Sequence, residues 1–174
     1  MRPELVVFFD DLAKRWDQMM DLPALEARLE EGLRELGPGL LDGEILDVGC
    51  GTGNLSRALA ALANGRGQVT AIDPSSEMLR IAEAKLKQSP VRLLHADLES
   101  FADREEERAK YDLVLCYSVW PHFEARKRAK QAILHLLAPG GHVLVWHTSS
   151  REEITAIHRS VGDPIGDHST RARD

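Results

Sequence analysis

The sequence has little cysteine and no long apolar run near its start. Cys50 and Cys116 are the only cysteines in 174 residues, which excludes a scaffold held together by several disulfides. The apolar run from Leu5 to Phe9 is too short for a signal peptide or for a membrane span. We therefore expect a cytoplasmic protein that does not enter a membrane.

The sequence also lacks an excess of basic residues. The chain has 22 Lys and Arg against 28 Asp and Glu, a formal net charge of -6, whereas proteins that bind nucleic acid usually carry a basic stripe. The cluster Arg126 to Lys130 (RKRAK) is more typical of an exposed helix face, so no nucleic-acid partner is expected. A second charged run, Asp103 to Lys110 (DREEERAK), predicts a solvent-exposed helix or loop.

From residue 45 onward, short apolar runs alternate with amphipathic stretches of helix length. Two helical patterns, Pro3 to Met20 and Pro23 to Leu36, precede them. Strands that are apolar throughout and alternate with helices form parallel sheets. We therefore expect a Rossmann-like, doubly wound α/β fold with at least five parallel strands in the order 3-2-1-4-5 and helices on both faces. The predicted strands are 45–48, 69–72, 91–94, 113–116 and 143–146, and the helices between them are Asn54–Ala63, Ser75–Gln88 and Phe123–Leu137.

The turn after the first strand is rich in glycine. It reads Asp47 to Asn54 (DVGCGTGN), and glycine at such a turn permits positive φ and lets a ligand approach the backbone. A dinucleotide fingerprint, G-x-G-x-x-G, would need glycine where Asn54 stands, and the chain has no G-x-x-x-x-G-K-[ST] phosphate loop. The pattern therefore disfavours a nicotinamide-dependent oxidoreductase, an ATPase or a GTPase.

Three carboxylates follow the first three strands. Asp47 ends the first, Asp73 follows the second and Asp97 follows the third, so all three are expected at the carboxyl edge of the sheet, where ligands of such folds bind. Together they would repel a diphosphate and favour a ligand with positive charge and ribose hydroxyls. S-adenosylmethionine has these properties. Each acid also has a structural alternative, since Asp73 before Pro74 is a good helix N-cap and Asp97 is suited to cap a short helix.

The glycine turn and the segments around the other acids resemble the motifs of class I S-adenosylmethionine-dependent methyltransferases, most closely the type-11 group that includes the ubiquinone and menaquinone methylases. The similarity runs from about Phe9 to His147. Five segments carry it, in order: residues 45–53 (ILDVGCGTG), 71–79 (AIDPSSEML), 96–98 (ADL), 111–116 (YDLVLC) and 137–144 (LAPGGHVL).

The resemblance implies a cofactor site. In such a site Asp47 helps to hold the methionine end, Asp73 accepts from both ribose hydroxyls, and Asp97 accepts from the adenine amino group. The predicted cofactor-binding residues are Asp47, Gly49, Cys50, Gly51, Gly53, Asp73, Pro74, Met78, Asp97, Leu98 and Cys116. The resemblance further implies a small-molecule methyl acceptor, S-adenosylhomocysteine as the product, and an N-terminal segment that closes over the cofactor, with Phe9, Trp16 and Met19 as candidates for that lid.

The segment after the fourth strand is the expected position of a general base. His122 is the first candidate because an imidazole titrates near neutral pH, with a loop-packing or helix-capping histidine as the alternative. Tyr117 is a second catalytic candidate, and Tyr117 and Trp120 either line an acceptor pocket or pack against the lid. Cys50 is interpreted as a small filler rather than a nucleophile. The spacing of the histidines is not that of a zinc motif, so no metal site is predicted.

The chain departs from the family pattern after the fifth strand. We expect one domain over residues 1–174, with a helical lid at 1–40, a cofactor-binding core at 41–148, and a helix (Glu152 to Arg159) and polar tail at 149–174. The family's last antiparallel hairpin is apparently missing, which predicts an unprotected edge at Val143 to His147 and a homodimer formed through it. The leading interpretation is a methyltransferase; the alternative is a module that binds the cofactor or its product with little turnover.

Overall fold

The computed structural model describes residues 2–37 and 39–147. The predicted helix from Glu152 to Arg159 and the polar tail lie outside the described residues. The helices of eight residues or more are α1 (Pro3–Trp16), α2 (Leu22–Glu35), α3 (Asn54–Ala63), α4 (Ser76–Leu86) and α6 (Arg126–Leu136), and α5 (Leu98–Ala102) is a single turn. The strands are β1 (Glu44–Val48), β2 (Gln68–Asp73), β3 (Val91–His95), β4 (Tyr111–Tyr117) and β5 (Leu137–Trp146).

The five strands form one parallel sheet in the order β3-β2-β1-β4-β5, which confirms the predicted fold class and strand order. β1 lies at the centre, where the strand order reverses. At its carboxyl end Asp47 is level with Ala71 of β2 and with Leu115 of β4. In open sheets of this kind the ligand crevice forms at the carboxyl ends of the strands beside that reversal.

Helices cover both faces of the sheet. On one face α5 and α6 bury a cluster that includes Phe101, Ile133 and the strand residues Val48 and Val114. On the other face α2 and α3 bury a second cluster. The leucines of α2 recur at helical spacing, so one stripe of the helix is apolar and meets the sheet. In the part of the chain that the structure describes, no helix has the length and apolar character needed to cross a membrane.

Two local predictions were wrong, one at each edge of the sheet. α4 begins at Ser76 with Ser75 as its N-cap, whose hydroxyl accepts from the Met78 N–H at 3.1 Å, so Asp73 does not cap this helix. The fifth strand was predicted at 143–146, but residues 137–142 also belong to β5, whose register with β4 shifts between Tyr111 and Leu113. Gly140 takes a positive φ of 82° in this irregular stretch.

The composition of the charged run from Asp103 to Lys110 predicted a solvent-exposed segment, but the run is not wholly exposed. Glu107 is fully buried. Its carboxylate accepts from the Tyr111 hydroxyl and the Arg92 guanidinium, both at 2.6 Å, and from the Lys110 ammonium at 3.1 Å. These donors compensate the burial of the charge, which would otherwise be unfavourable. By contrast, the basic cluster at the start of α6 is exposed, as expected: Arg126, Lys127, Arg128 and Lys130.

Candidate cofactor site

The glycine turn connects β1 to α3 in a conformation that only glycine adopts readily. Gly49, Gly51 and Gly53 all have positive φ, at 70°, 54° and 83°. The N–H groups of Gly49 and Cys50 both donate to the Ile72 carbonyl, at 2.8 and 3.0 Å. The turn is therefore fixed to the end of β2 and directs the chain into α3.

Only one of the three glycines faces open space. A Cβ at Gly49 would lie 2.5 Å from Val119, and a Cβ at Gly53 would lie 2.9 Å from Leu86 of α4. At Gly51 a Cβ would meet no atom of the described residues within 4 Å. Gly49 and Gly53 are thus needed for close packing within the protein, and Gly51 leaves its backbone open to a ligand.

Asp73 joins the glycine turn to the N-terminal end of α4. Its Oδ2 accepts from the Gly51 N–H and its Oδ1 from the Ser75 N–H, both at 2.8 Å. Burial raises the pKa of this carboxyl to about 6, although the two backbone donors and His95 act in the opposite direction. A carboxylate accepts about four hydrogen bonds, so the two that are observed leave acceptor capacity on Asp73.

Asp47 is buried beneath the same turn. Its Oδ2 accepts from the Ser56 hydroxyl of α3 at 2.6 Å, and its Oδ1 is buried without a hydrogen-bond partner among the described residues. Burial, together with the nearby charge of Asp73, raises the pKa of Asp47 to about 7 despite the Ser56 hydroxyl. An unpartnered buried carboxylate oxygen is costly in a protein interior, and a cationic ligand group would compensate it.

Asp97 caps α5, as its structural alternative predicted. Its side chain accepts from the Glu99 and Ser100 N–H groups at 3.0 and 3.2 Å and from the Ser100 hydroxyl at 2.7 Å. Burial would raise the pKa of this carboxyl, but these hydrogen bonds outweigh it and the pKa is lowered. Asp97 also lines a narrow cleft between β1, β2 and the segment after β4. The residues that line this cleft are Val48, Gly49, Ile72, Pro74, Ala96, Asp97, Leu98, Val119 and Phe123.

The predicted cofactor residues therefore fall into two groups. Gly49, Pro74, Asp97 and Leu98 line the cleft, and Asp73 is bonded to Gly51 of the adjoining turn. Met78, Cys116 and Cys50 are buried, and none of the three is among the described residues that line the cleft. Burial, with the Asp47 and Asp73 charges, raises the pKa of the Cys50 thiol well above its usual range, and burial raises that of Cys116 to about 12. Neither thiol is suited to act as a nucleophile.

The segment after β4 meets the N-terminal helix. His122 is nearly buried, and its ring lies edge-on to Phe9 of α1, with centroids 5.2 Å apart. The Tyr117 ring contacts Trp146 of β5 at 5.5 Å, within the cluster covered by α2 and α3. Trp120 contacts Phe123, which lines the cleft. His122 is thus close to the predicted lid, whereas Tyr117 packs toward the other face of the sheet.

One set of residues at this site was missed by the sequence analysis. Asp17 follows α1, and its Oδ1 accepts from the Thr52 hydroxyl at 2.7 Å and from the Asn54 amide at 3.2 Å, both in the glycine turn. Its Oδ2 pairs with the Lys85 ammonium of α4 at 2.8 Å. Burial would raise the pKa of Asp17, but Lys85 and the other donors outweigh it and the pKa is lowered. We call these four residues the Asp17 cluster.

A second carboxylate of α1, which the sequence analysis also missed, contacts the edge of the site. Asp10 Oδ1 accepts from the Ser75 hydroxyl at 2.6 Å and from the Glu77 N–H at 3.1 Å. α1 is thus attached to the start of α4 as well as to the glycine turn. Its partners lie more than 60 residues away in sequence, so no local pattern indicated the contact.

The fold and the candidate site can be compared with those of known proteins. A doubly wound sheet with a glycine turn and buried carboxylates at its carboxyl edge defines a nucleoside-binding α/β domain. The family described as "Methyltransferase domain" matches residues 45–141, more than half of the chain, and the chain belongs to this family. The predicted class, the S-adenosylmethionine-dependent methyltransferases of class I and their type-11 group, is confirmed.

The relatives are similar along most of this chain. A ubiquinone biosynthesis O-methyltransferase of Bordetella avium is 31% identical over an alignment of 172 positions. This alignment covers 92% of this chain and 70% of that protein. A protein of the same name from Shewanella halifaxensis is 28% identical over 145 residues, 81% of this chain and 60% of its own length. The chain thus spans less than two thirds of the Shewanella relative.

Solved structures share the fold. A protein from Methanococcus maripaludis, described as an S-adenosylmethionine-dependent methyltransferase, superposes with a TM-score of 0.71 at 22% identity, over 90% of this chain and 74% of that one. At this level of identity the similarity supports the fold alone.

Proposed function

We propose that this protein transfers a methyl group from S-adenosylmethionine to a small-molecule acceptor. The observation that carries the proposal is the pair of carboxylates around the glycine turn: Asp73 is anchored by two backbone N–H groups, and Asp47 presents one buried oxygen with no hydrogen-bond partner among the described residues. A nucleoside with ribose hydroxyls and an ammonium group matches both. A diphosphate would face two negative charges.

The residues present fit this cofactor. The free acceptor positions of Asp73 suit the ribose hydroxyls, and the cleft lined by Ile72, Leu98 and Val119 offers apolar walls for the adenine ring. Asp47 would hold the ammonium of the amino-acid part. The open space above Gly51 would admit the chain that joins the two parts.

When bound, S-adenosylmethionine supplies a methyl group on a sulfonium, which is displaced in line with a neutral thioether as leaving group. The protein's own contribution is to align acceptor and donor and to exclude water, for which proximity alone supplies about 7–11 kcal/mol in favourable cases. The segment Phe9 to Trp16 of α1 and the segment after β4 lie together at the site and would form its cover.

The acceptor is the finer part of the proposal. Relatives are named ubiquinone biosynthesis O-methyltransferases, and we propose a hydroxyl of a ubiquinone-related compound as the first acceptor to test. Such a hydroxyl must lose a proton during transfer, which calls for a general base. His122 is the candidate, since it lies after β4 beside Phe9 of the predicted lid.

Binding and turnover are tested separately. We expect calorimetric titration to show binding of S-adenosylmethionine and S-adenosylhomocysteine but not of NADH. Incubation with a panel of quinols, phenols, amines and thiols should then release S-adenosylhomocysteine with the hydroxyl compounds. Binding of NADH in place of the adenosyl compounds would overturn the proposal, and binding without product from any acceptor would favour a module with little turnover.

Asp73 provides the sharpest single test of the site. We expect Asp73→Ala to weaken the binding of S-adenosylmethionine by about 2–3 kcal/mol, because hydrogen bonds to a charged group are lost. Asp112→Ala is the matched control, since Asp112 also accepts from a backbone N–H, that of Glu44 at 2.9 Å, at the opposite end of the sheet. An unchanged dissociation constant in Asp73→Ala, or an equal loss in both variants, would remove Asp73 from the site.

A further inference from the structure

The hydroxyl of Ser56 is directed at the carboxylate that the proposed site uses for the amino-acid part of its ligand. Ser56 is fully buried in the first turn of α3, and its Oγ–H donates to Asp47 Oδ2 at 2.6 Å. That length is typical of a charge-assisted hydrogen bond from a hydroxyl to an ionised carboxylate. The bond engages one carboxylate oxygen and leaves the other, Oδ1, buried without a partner among the described residues.

The surroundings of Asp47 oppose its ionisation. It is 1% exposed, Asp73 of β2 lies near enough to act on it electrostatically, and the thiols of Cys50 in the glycine turn and Cys116 in β4 feel the charge of Asp47. Ser56 is the hydrogen-bond donor that the structure places on Asp47 and the group that favours the charged form. Without it, the buried carboxyl would be protonated at neutral pH, because burial disfavours the charge.

We propose, on the basis of the function proposed above, that Ser56 is a positioning residue: its hydroxyl keeps Asp47 ionised and fixes its orientation so that Oδ1 receives the ammonium of the amino-acid part of the ligand. Ligand binding is then linked to the release of a proton from Asp47. The affinity for ligands that carry this ammonium falls as the pH drops below neutrality. The affinity for ligands that lack it does not depend on Asp47.

The pH range follows from the groups involved. The pKa of Asp47 is raised to about 7, so only part of the protein carries the charged form at pH 6. If the ligand binds only that form, the apparent affinity for S-adenosylhomocysteine should be about tenfold lower at pH 6 than at pH 8. Asp73 titrates in the same range, with a pKa of about 6, and the proposed ribose contact depends on it.

A pair of ligands separates the two carboxylates. S-adenosylhomocysteine carries adenine, ribose and the amino-acid part, whereas 5′-methylthioadenosine carries only the adenosine and a methyl thioether. Calorimetry from pH 6 to pH 8, in two buffers with different enthalpies of ionisation, gives the affinity and the number of protons released. We expect the pH dependence of 5′-methylthioadenosine binding to come from Asp73 alone. Binding of S-adenosylhomocysteine should release an additional fraction of a proton, from Asp47.

Three variants test the role of Ser56. In Ser56→Ala the affinity for S-adenosylhomocysteine should be several-fold lower at pH 8 than in the unaltered protein and should continue to increase as the pH is raised beyond 8. The affinity for 5′-methylthioadenosine should be unchanged. Ser56→Thr keeps a hydroxyl and should keep the profile of the unaltered protein. Asp47→Asn cannot ionise and should lose the additional proton release altogether. Thermal unfolding of each variant establishes that it is folded under the conditions of titration.

The outcomes separate this proposal from the proposed function. If the unaltered protein binds neither ligand, the proposed function fails. If it binds both, but Ser56→Ala shows the same pH profile and proton release as the unaltered protein, the role of Ser56 is wrong and the proposed function stands. A loss of affinity in Ser56→Ala that is equal for both ligands and at every pH would indicate that the serine only packs α3 against the sheet.

Discussion

At the scale of single residues, Asp47 and Gly51 each leave something unfilled within the protein itself. Asp47 is buried with one oxygen unpartnered among the described residues, and Gly51 has positive φ beside open space. The unpartnered oxygen of Asp47 destabilises the ligand-free protein. Glycine tolerates the positive φ at position 51 and leaves the space beside it open. Such departures from good packing concentrate at functional sites, where a ligand compensates them.

The ionisation of Asp47 predicts how the free energy of unfolding changes with pH. The pKa of Asp47 is about 7 in the folded protein, compared with 3.8 for an aspartate that is not buried. Between those values the folded state binds more protons than the unfolded state, so stability falls as the pH rises from about 4 to about 7. Over the two pH units from 5 to 7 the loss is about 2–3 kcal/mol.

Asp47→Asn removes this loss because an amide does not ionise. Urea unfolding at pH 5 and at pH 8 gives the free energy of unfolding of both proteins. Relative to the unaltered protein, Asp47→Asn should be more stable at pH 8 than at pH 5 by about 2–3 kcal/mol. Asp73 is present in both proteins, so its own titration cancels in the comparison except for its electrostatic interaction with the Asp47 charge. A difference that does not depend on pH would show that Asp47 is already ionised at pH 5.

Gly51 has a matched partner elsewhere in the chain. Gly65, in the turn between α3 and β2, also has positive φ, and in the part of the chain that the structure describes a Cβ there would likewise meet nothing within 4 Å. We expect Gly51→Ala and Gly65→Ala to lose similar stability, about 1–2 kcal/mol, because both force a side chain into the left-handed region. Only Gly51→Ala should weaken the binding of S-adenosylhomocysteine, by about tenfold or more, since its methyl group enters the proposed ligand space. Equal affinities in calorimetry would exclude a ligand above Gly51.

At the scale of secondary-structure elements, α1 is attached to the site by buried and half-buried polar contacts. Asp17 contacts the glycine turn and α4, Asp10 contacts the start of α4, and Phe9 contacts His122. The resemblance predicted a lid in this segment but named apolar residues for it. Its carboxylates were missed because their partners are distant in sequence: Thr52 and Asn54 lie 35 and 37 residues from Asp17.

The Asp17 cluster predicts that one carboxylate contributes measurably to holding the C-terminal end of α1 against the site. Asp17→Ala would leave Thr52, Asn54 and Lys85 without their shared acceptor, and we expect a loss of about 1–2 kcal/mol, reduced by its partial exposure to solvent. Limited proteolysis should then cut the N-terminal segment faster. Asp42→Ala is the control, because the Asp42 and Arg66 pair is exposed and should contribute little. Proteolysis of both variants at the same rate would contradict this role of Asp17.

Prediction of the elements from sequence was accurate where burial alone decides them. The core of every strand was predicted because each is an apolar run, which is almost wholly buried in β1, β2 and β4 and partly exposed in the edge strands β3 and β5. α3 was predicted to the residue, Asn54–Ala63. The N-cap of α4 was not predicted correctly, since Asp73 and Ser75 are equally good capping residues in the sequence. The choice depends on the glycine turn, whose Gly51 N–H engages Asp73.

At the scale of the whole molecule, the alternation of strands and helices predicted the parallel sheet, because parallel connections are right-handed. The strand order is that of the doubly wound fold to which this alternation was assigned, and the predicted site lies where that order reverses. The long-range polar contacts could not be predicted. Glu107 stands in a run of charges in which no local feature distinguishes the one carboxylate that is buried. Its burial depends on Arg92 of β3, which folding brings beside it.

Self-association through β5 stays a prediction, and the structure gives it a specific test. β5 pairs with β4 on one side only among the described residues, and Val143 and Val145 on it are 42% and 43% exposed. An exposed apolar edge strand is a template for pairing with another chain. We expect sedimentation velocity to show a dimer that grows with protein concentration, and Val145→Lys to reduce it, because a charge on an edge strand opposes pairing.

Val7→Lys supplies the control for that test, since Val7 is a valine of α1 that is 60% exposed and lies far from β5 in sequence. The same substitution there changes the net charge equally and leaves the edge intact, so the dimer should persist. A dimer that weakens equally in both variants would point to general charge repulsion rather than to the edge. A protein that sediments as a monomer at every concentration would show that β5 does not pair between copies of the chain.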